Sequence, residues 1–416
     1  MSTPPASQTP APAVTSRGQY TALVIAFVGF AVNFWAWALI SPLAPTFKAA
    51  LGLTAFQQSV IVAVPVIVGS LGRIPVGALT DRYGGRVMFP LVSFATIVPV
   101  LFLAVWHDSY AQLLVGGFFL GIGGTTFAVG IPFVNAWFPP ERRGLALGIF
   151  GAGMGGTAIS ALTTVKLAQA HTIATPFVLV AILLAVYGVL ALLLAKDAPG
   201  RTVPTIPFLT RLGGAMRLKV TWQLSALYAL AFGGYVAFSV YLPTLLVNAN
   251  DLVKADASNK MAGFVLVAVV CRPLGGWLSD RLHPIPVLIV TFAGITTMAL
   301  VLAQVLAGDR VGVTATETAA FLLMAAFLGL GTGSVFALLA LLTPVEKVGG
   351  VTGVVGAAGG LGGFVPPLIM GYLYGHSSPP SYQLGLVALA MVAAAALVYV
   401  AMVMRREAVE RRPASA

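Results

Sequence analysis

Arg73-Ile-Pro-Val-Gly-Ala-Leu-Thr-Asp-Arg82 and Arg272-Pro-Leu-Gly-Gly-Trp-Leu-Ser-Asp-Arg281 carry Arg, Gly, Leu, Asp and Arg in the same register, 199 residues apart. A second correspondence runs at an offset of 205. Pro139, Glu141, Arg142, Gly144, Gly148 and Gly151 align with Pro344, Glu346, Lys347, Gly349, Gly353 and Gly356. Two separate stretches therefore relate the first half of the chain to the second. The sequence reads as one unit duplicated.

What the unit is made of follows from composition. Of the 416 residues, 58% are hydrophobic and only 8% charged, where a water-soluble domain carries roughly 25% charge. A helix crosses the hydrocarbon core in about 20 apolar residues. Twelve such stretches are expected near 20–45, 56–80, 87–106, 110–136, 143–168, 174–195, 220–247, 260–280, 285–307, 317–342, 349–374 and 382–404. The predicted fold class is an all-α membrane protein of twelve transmembrane helices in two pseudo-symmetric six-helix bundles.

The longest polar interruption, Lys196 to Lys219, follows the sixth stretch. The expected organisation is thus a disordered cytoplasmic tail over 1–17, a first bundle over 18–195, a cytoplasmic central loop over 196–219, a second bundle over 220–405 and a cytoplasmic tail over 406–416. With both termini in the cytoplasm, sixteen of the 23 Lys and Arg residues fall on that side and five on the other. Such an excess marks cytoplasmic loops. The net charge of +11 is accounted for by these loops, by lipid and by an anionic substrate, not by nucleic acid. A single cysteine, Cys271, rules out an intramolecular disulfide. A bacterial cytoplasmic (inner) membrane protein, multi-pass and monomeric, is expected.

Arg73 and Arg272 are the two basic residues left over, both inside spans. Each precedes the Asp of its repeat by eight residues, which at 1.5 Å per residue is roughly 12 Å inward from the helix end. A charge at that depth is costly and needs a partner. The twelve acids all lie in tails, loops or span ends. Two symmetric cations without a buried carboxylate imply that the counter-ion is the substrate. A guanidinium suits a planar oxyanion because its fork donates paired hydrogen bonds. The alternative for each Arg is to snorkel to the interface or to bond backbone carbonyls.

Glycine runs repeat as well. The fifth stretch holds Gly148, Gly151, Gly153, Gly155 and Gly156, and the eleventh Gly353, Gly356, Gly359, Gly360, Gly362 and Gly363. Small residues at this spacing let helices approach closely and would also let them slide. They lack the Lys-Ser/Thr ending of a phosphate loop. Gly121-Ile-Gly-Gly-Thr-Thr-Phe127 and Gly329-Leu-Gly-Thr-Gly-Ser-Val-Phe336 each run through small residues to an aromatic, which singles out Phe127 and Phe336.

The stretch Gly77-Ala-Leu-Thr-Asp81-Arg82-Tyr-Gly84-Gly-Arg86 resembles the loop signature of the major facilitator superfamily. Gly69-Ser-Leu-Gly-Arg73-Ile-Pro, Gly121-Ile-Gly-Gly-Thr-Thr-Phe127-Ala, Asn135-Ala-Trp-Phe-Pro-Pro and Gly356-Ala-Ala-Gly-Gly-Leu-Gly-Gly-Phe364 narrow the resemblance to its nitrate/nitrite porter family. The resemblance implies that Arg73 and Arg272 hold the anion and that Phe127 on helix 4 stacks on it. For the helix 7 aromatic, Tyr235-Val-Ala-Phe238-Ser-Val-Tyr241 offers candidates, Phe238 fitting best by register and Tyr235 next. It also implies a cytoplasmic latch at Asp81, Arg82 and Arg86, with a shorter copy at Asp280 and Arg281, and mobile glycine faces at Gly148, Gly151, Gly155, Gly353, Gly356 and Gly360. Members often carry Asn in the helix 5 signature. Here Gly153-Met-Gly-Gly offers none, so backbone groups, Thr157 or Asn33 are expected in its place.

Nitrate and nitrite are the expected cargo, with exchange of one for the other favoured because two facing cations resist closure without an anion. A proton symporter, or a porter of cyanate, formate or a short carboxylate, fits the same arginines. A non-transporting membrane sensor is a remote alternative. No metal, cofactor or enzymatic constellation is implied in the spans.

Overall fold

The computed structural model describes residues 16–199, 201, 207–307, 312–343 and 347–404. Of the expected tail over 1–17, residues 1–15 lie outside them, as do the tail over 406–416, the arginine at 310 and the repeat residues Pro344 and Glu346, while Ser16 and Arg17 open the first helix. Among the described residues there are twelve helices long and apolar enough to cross a membrane. They are α1 (Ser16–Leu51), α2 (Ala55–Tyr83), α3 (Gly85–Val105), α4 (Tyr110–Trp137), α5 (Ala146–Ala170), α6 (Ala174–Leu194), α7 (Lys219–Asn250), α8 (Lys254–Leu282), α9 (Pro284–Val305), α10 (Ala315–Leu342), α11 (Val348–His376) and α12 (Gln383–Met402).

Three spans are broken, and the breaks have a common cause. Helix α1 is interrupted between Trp37 and Ile40, α2 at Gly72 and α11 between Gly362 and Val365. Pro42, Pro75 and Pro367 follow closely, and none has the N–H that would bond the carbonyl four residues back, at 38, 71 and 363. Arg73 opens the second piece of α2, so the bend sits at its root. Helices α4 and α5 tighten instead. Their glycine runs form 3-10 turns over Gly121–Thr125 and Ala152–Gly155, a geometry used in short pieces.

The duplication is visible in the packing. Within the first half α3 lies on α6, and within the second α9 lies on α12. Between halves, α2 packs on α11 and α5 on α8. Since α2 corresponds to α8 and α5 to α11, these seams are images of one another. Helix α7 is central, with 89% of its apolar window buried against 28% for α12.

The halves are clasped at the end away from the termini. There Ser59 donates to the Tyr241 hydroxyl (3.1 Å), Gln58 Nε2 to Thr244 Oγ1 (3.3 Å), Asn248 Nδ2 to Gln58 Oε1 (3.3 Å) and Lys48 Nζ to Asn248 Oδ1 (3.2 Å). Gln58, Ser59 and Thr244 are fully buried, and such a network in an apolar surround is costly to break. At the terminus end of α11 the seam is open: a Cβ built on Gly349 or Gly353 would meet no atom within 4 Å.

The central loop holds a helix that the sequence reading took as loop, Phe208–Met216. Arg211 on it reaches Asp81 Oδ2 at 2.7 Å. The expected latch is therefore rearranged: Asp81 binds the linker helix, while Arg82 lies over its neighbour Tyr83 at 5.5 Å. Arg201 donates to the main-chain carbonyls of Asp81 and Arg82. Asp197 accepts from the backbone N–H of Arg86 (3.2 Å) and fills the space a Cβ at Gly84 would need, 2.1 Å from it. Gly84 also sits at φ +81°, where only glycine is unstrained. In the second copy Arg281 lies over Trp277 at 4.3 Å, and among the described residues Asp280 forms no ion pair.

Candidate functional site

Each interior arginine crosses to the opposite half. Arg73 on α2 is 6% exposed and donates through Nη1 to the carbonyl of Gly356 on α11, at 2.8 Å. Arg272 on α8 donates through Nη1 to the Met154 sulfur on α5, at 3.3 Å, and through Nη2 to the Tyr228 hydroxyl on α7, at 3.5 Å. A Cβ at Gly151 would stand 3.7 Å from Arg272 Nε. Gly151 and Gly356 are repeat mates, so each arginine faces the other half's copy of one glycine.

Two rings face both guanidinium groups. Arg73 Cζ lies 4.8 Å from the Phe127 centroid and 5.4 Å from that of Phe232. Arg272 Cζ lies 5.7 Å from each. The two charges are therefore no farther apart than those distances allow. The Phe127 and Phe232 rings are nearly parallel, 22° between planes and 6.3 Å between centroids. An aromatic face attracts a cation by about 0.5–2 kcal/mol, which offsets part of the cost of holding two cations together but supplies no counter-charge. Among the described residues neither arginine pairs with a carboxylate. The buried acid Glu317 sits in the first turn of α10, its backbone N–H bonded to Thr314 Oγ1 and its side chain held by Asn250. This is a helix cap, at a span end.

The helix 7 ring that lies by both guanidinium groups is Phe232, not the expected Phe238. Phe238 packs on Phe264 and Phe321 inside the second half, at 5.5 and 6.1 Å. Six residues separate it from Phe232, which turns it about 120° round the helix. Tyr228, Phe232 and Tyr235, at positions i, i+4 and i+7, form one stacked stripe with centroids 5.0 and 5.9 Å apart. That spacing was the available signal for Tyr228 and Phe232, and the sequence reading passed over it.

The remaining expected residues fall at different distances from the pair. The Tyr235 hydroxyl and Thr157 Oγ1 share a hydrogen bond at 3.3 Å across the halves. Phe336 sits one layer out, its ring 4.9 Å from Tyr228. Asn33 is turned into the first half, donating to Ser93 Oγ and to the Gly29 carbonyl, each at 2.9 Å, so it is not among the groups facing the arginines. Gly360 is pressed against Ser70, whose Oγ lies 2.2 Å from a Cβ built there. Gly148 clears Pro273 by 3.6 Å, and Gly155 has open space on its side-chain face.

Comparison with known proteins places the chain in a family. The family model of the Major Facilitator Superfamily matches residues 26–315 and 224–416. The "Probable nitrate/nitrite transporter NarK2" of Mycobacterium tuberculosis (strain ATCC 25618 / H37Rv) is 45% identical over 388 residues, covering 93% of this chain and 97% of that protein. The "Nitrite extrusion protein" of Bacillus subtilis (strain 168) is 35% identical, covering 92% and 94%. A solved bacterial homologue of the human lysosomal transporter Spinster superposes with a TM-score of 0.72 at 16% identity, over 96% of this chain and 100% of that one, which shows a shared fold. The chain belongs to the nitrate/nitrite porter family of the major facilitator superfamily.

Proposed function

We propose that this protein carries nitrate and nitrite across the membrane by alternating access, holding the planar anion between Arg73 and Arg272 and against the faces of Phe127 and Phe232. The observation that carries the reading is the convergence of two guanidinium groups, one from each half, on the same two rings with no carboxylate beside them. An anion supplies the missing charge and gives both forks an acceptor. Because the arginines come from opposite halves, one bound anion draws the halves together.

The same electrostatics favour exchange. Closing the halves without an anion would leave two like charges facing each other at low dielectric, which is costly. Return of the carrier is then coupled to return of an anion, nitrate one way and nitrite the other. The Lys and Arg distribution supports both termini in the cytoplasm of a bacterial cell, which makes the clasped end the outer end. The protein works as a monomer in lipid in this reading.

Counterflow in proteoliposomes tests it. Labelled nitrate should enter vesicles loaded with nitrite or nitrate, enter empty vesicles at least tenfold more slowly, and ignore an imposed pH gradient. Entry into empty vesicles driven by outside acid would replace exchange with proton symport. No nitrate entry, with cyanate or formate transported instead, would keep the arginine pair and change the cargo.

A further inference from the structure

The two arginines are held by acceptors of different strength, and across the interface the difference resides in one residue. Arg73 Nη1 meets a backbone carbonyl at 2.8 Å, a strong acceptor. By the repeat, Arg272 should meet the carbonyl of Gly151. It meets the Met154 sulfur at 3.3 Å instead. The repeat mate of Met154, at the offset of 205, is Gly359, which has no side chain and lies against the Tyr228 ring. Met154 is therefore a side-chain acceptor with no repeat counterpart, as is the Tyr228 hydroxyl that Arg272 meets within its own half. Met154 lies in the 3-10 turn Ala152–Gly155 and is 2% exposed. Its backbone carbonyl is bound by Thr157 Oγ1 at 3.0 Å, which fixes the root of a side chain that has three rotatable bonds.

We infer that Met154 is a positioning residue that sets the anion affinity by competing for Arg272. This rests on the reading of the arginine pair as the anion site. Arg272's two Nη nitrogens face Met154 and Tyr228. Each Nη carries two N–H donors, so a paired fork to an oxyanion draws on nitrogens that Met154 and Tyr228 already engage, and those contacts set how freely the guanidinium turns toward the anion. A thioether is a weak acceptor on a flexible stem, so it keeps the guanidinium aimed across the interface yet yields to a charged oxygen. A stronger acceptor at 154 would hold Arg272 back from the anion. An apolar side chain of the same volume would leave its N–H without a rival.

The experiment compares Met154→Leu, which keeps volume and removes the acceptor, with Met154→Gln, which keeps the unbranched shape and substitutes an amide oxygen. Nitrate and nitrite counterflow are measured per folded carrier. The expected order of KM for both anions is Leu below Met below Gln, each step at least threefold. Turnover of Met154→Leu should fall as release slows. A residue acting only through packing would lower Vmax or raise KM in both variants, and a raised or unchanged KM in Met154→Leu overturns the inference. If Met154→Gln does not insert, the Met154→Leu direction decides alone. Arg272→Ala separates the two readings. Normal transport by Arg272→Ala would reject the arginine site itself, whereas its failure together with an unordered Met154 series would reject only the role of Met154.

Discussion

Helices α5 and α11 carry the same glycine pattern by descent from one repeat, yet they press it against different neighbours. Both turn glycines into their own half: Gly156 toward the Ala31 carbonyl on α1, Gly359 and Gly362 toward Tyr228 and Ala229 on α7. Toward the opposite half they diverge. On α5, Gly148 and Gly151 keep ordinary clearances of 3.6 and 3.7 Å from Pro273 and Arg272. On α11, Gly360 is pressed against Ser70. The seams match at Gly151 and Gly356, where an added Cβ would stand 3.7 Å from Arg272 and from Phe127, and differ at Gly360, whose repeat mate Gly155 has open space. A duplicated sequence fixes which helices meet, while the details of each seam follow from single side chains such as Ser70 and Met154.

The comparison can be broken most severely at the arginines that each seam contributes. Arg73→Ala and Arg272→Ala should each reduce counterflow at least a hundredfold while the protein still inserts and elutes as folded carrier. Arg73→Lys should fare nearly as badly, because an ammonium is a point donor without the planar fork, and retention of wild-type KM by that variant would reject the paired-arginine site.

Next come the glycines that each helix presents to its own half. In Gly156→Ala the new Cβ would lie 1.9 Å from the Ala31 carbonyl oxygen. Backbone cannot rotate away, so overpacking of about 1–3 kcal/mol is expected, read as a lowered midpoint of thermal unfolding in detergent. The Gly360 contact is tested by Gly360→Ala, whose Cβ would lie 2.2 Å from the rotatable Ser70 Oγ and 2.9 Å from Ser70 Cβ. It should destabilise less than Gly156→Ala, and pairing it with Ser70→Gly should restore the loss. The smallest effect belongs to the open end of α11. Gly353→Ala meets nothing and gains about 0.5–1 kcal/mol of helix propensity, so its unfolding midpoint should hold or rise. A marked fall there would mean that the open end is filled.

At the linker, Asp81→Asn removes a partly exposed ion pair with Arg211. Pairs of that kind contribute about 0.2–1 kcal/mol, so stability should barely change. Accelerated proteolysis of the central loop is the more sensitive measurement.

Much of the fold was legible because membrane chemistry leaves few options. Long apolar runs must be helices. Arg73 and Arg272 stood out because charge in an apolar span is rare, and Phe127 because small residues lead into it. Phe232 and Tyr228 were less visible among the aromatics of α7, where period and rotation, not residue type, decide which ring faces the interface. The partner of Asp81 was hidden because a polar loop gives no apolar run to announce Phe208–Met216, and ion pairs between distant segments leave no periodic trace.

The sequence by itself determined the twelve spans, the duplication and the two interior cations, since each follows from local composition and spacing along the chain. The tertiary structure alone decided that each arginine reaches into the other half, that Phe127 and Phe232 face both, and that a thioether stands where symmetry would put a carbonyl. Those are properties of rotation about helix axes and of where proline and glycine bend them, and they arise only when the two halves are packed against each other.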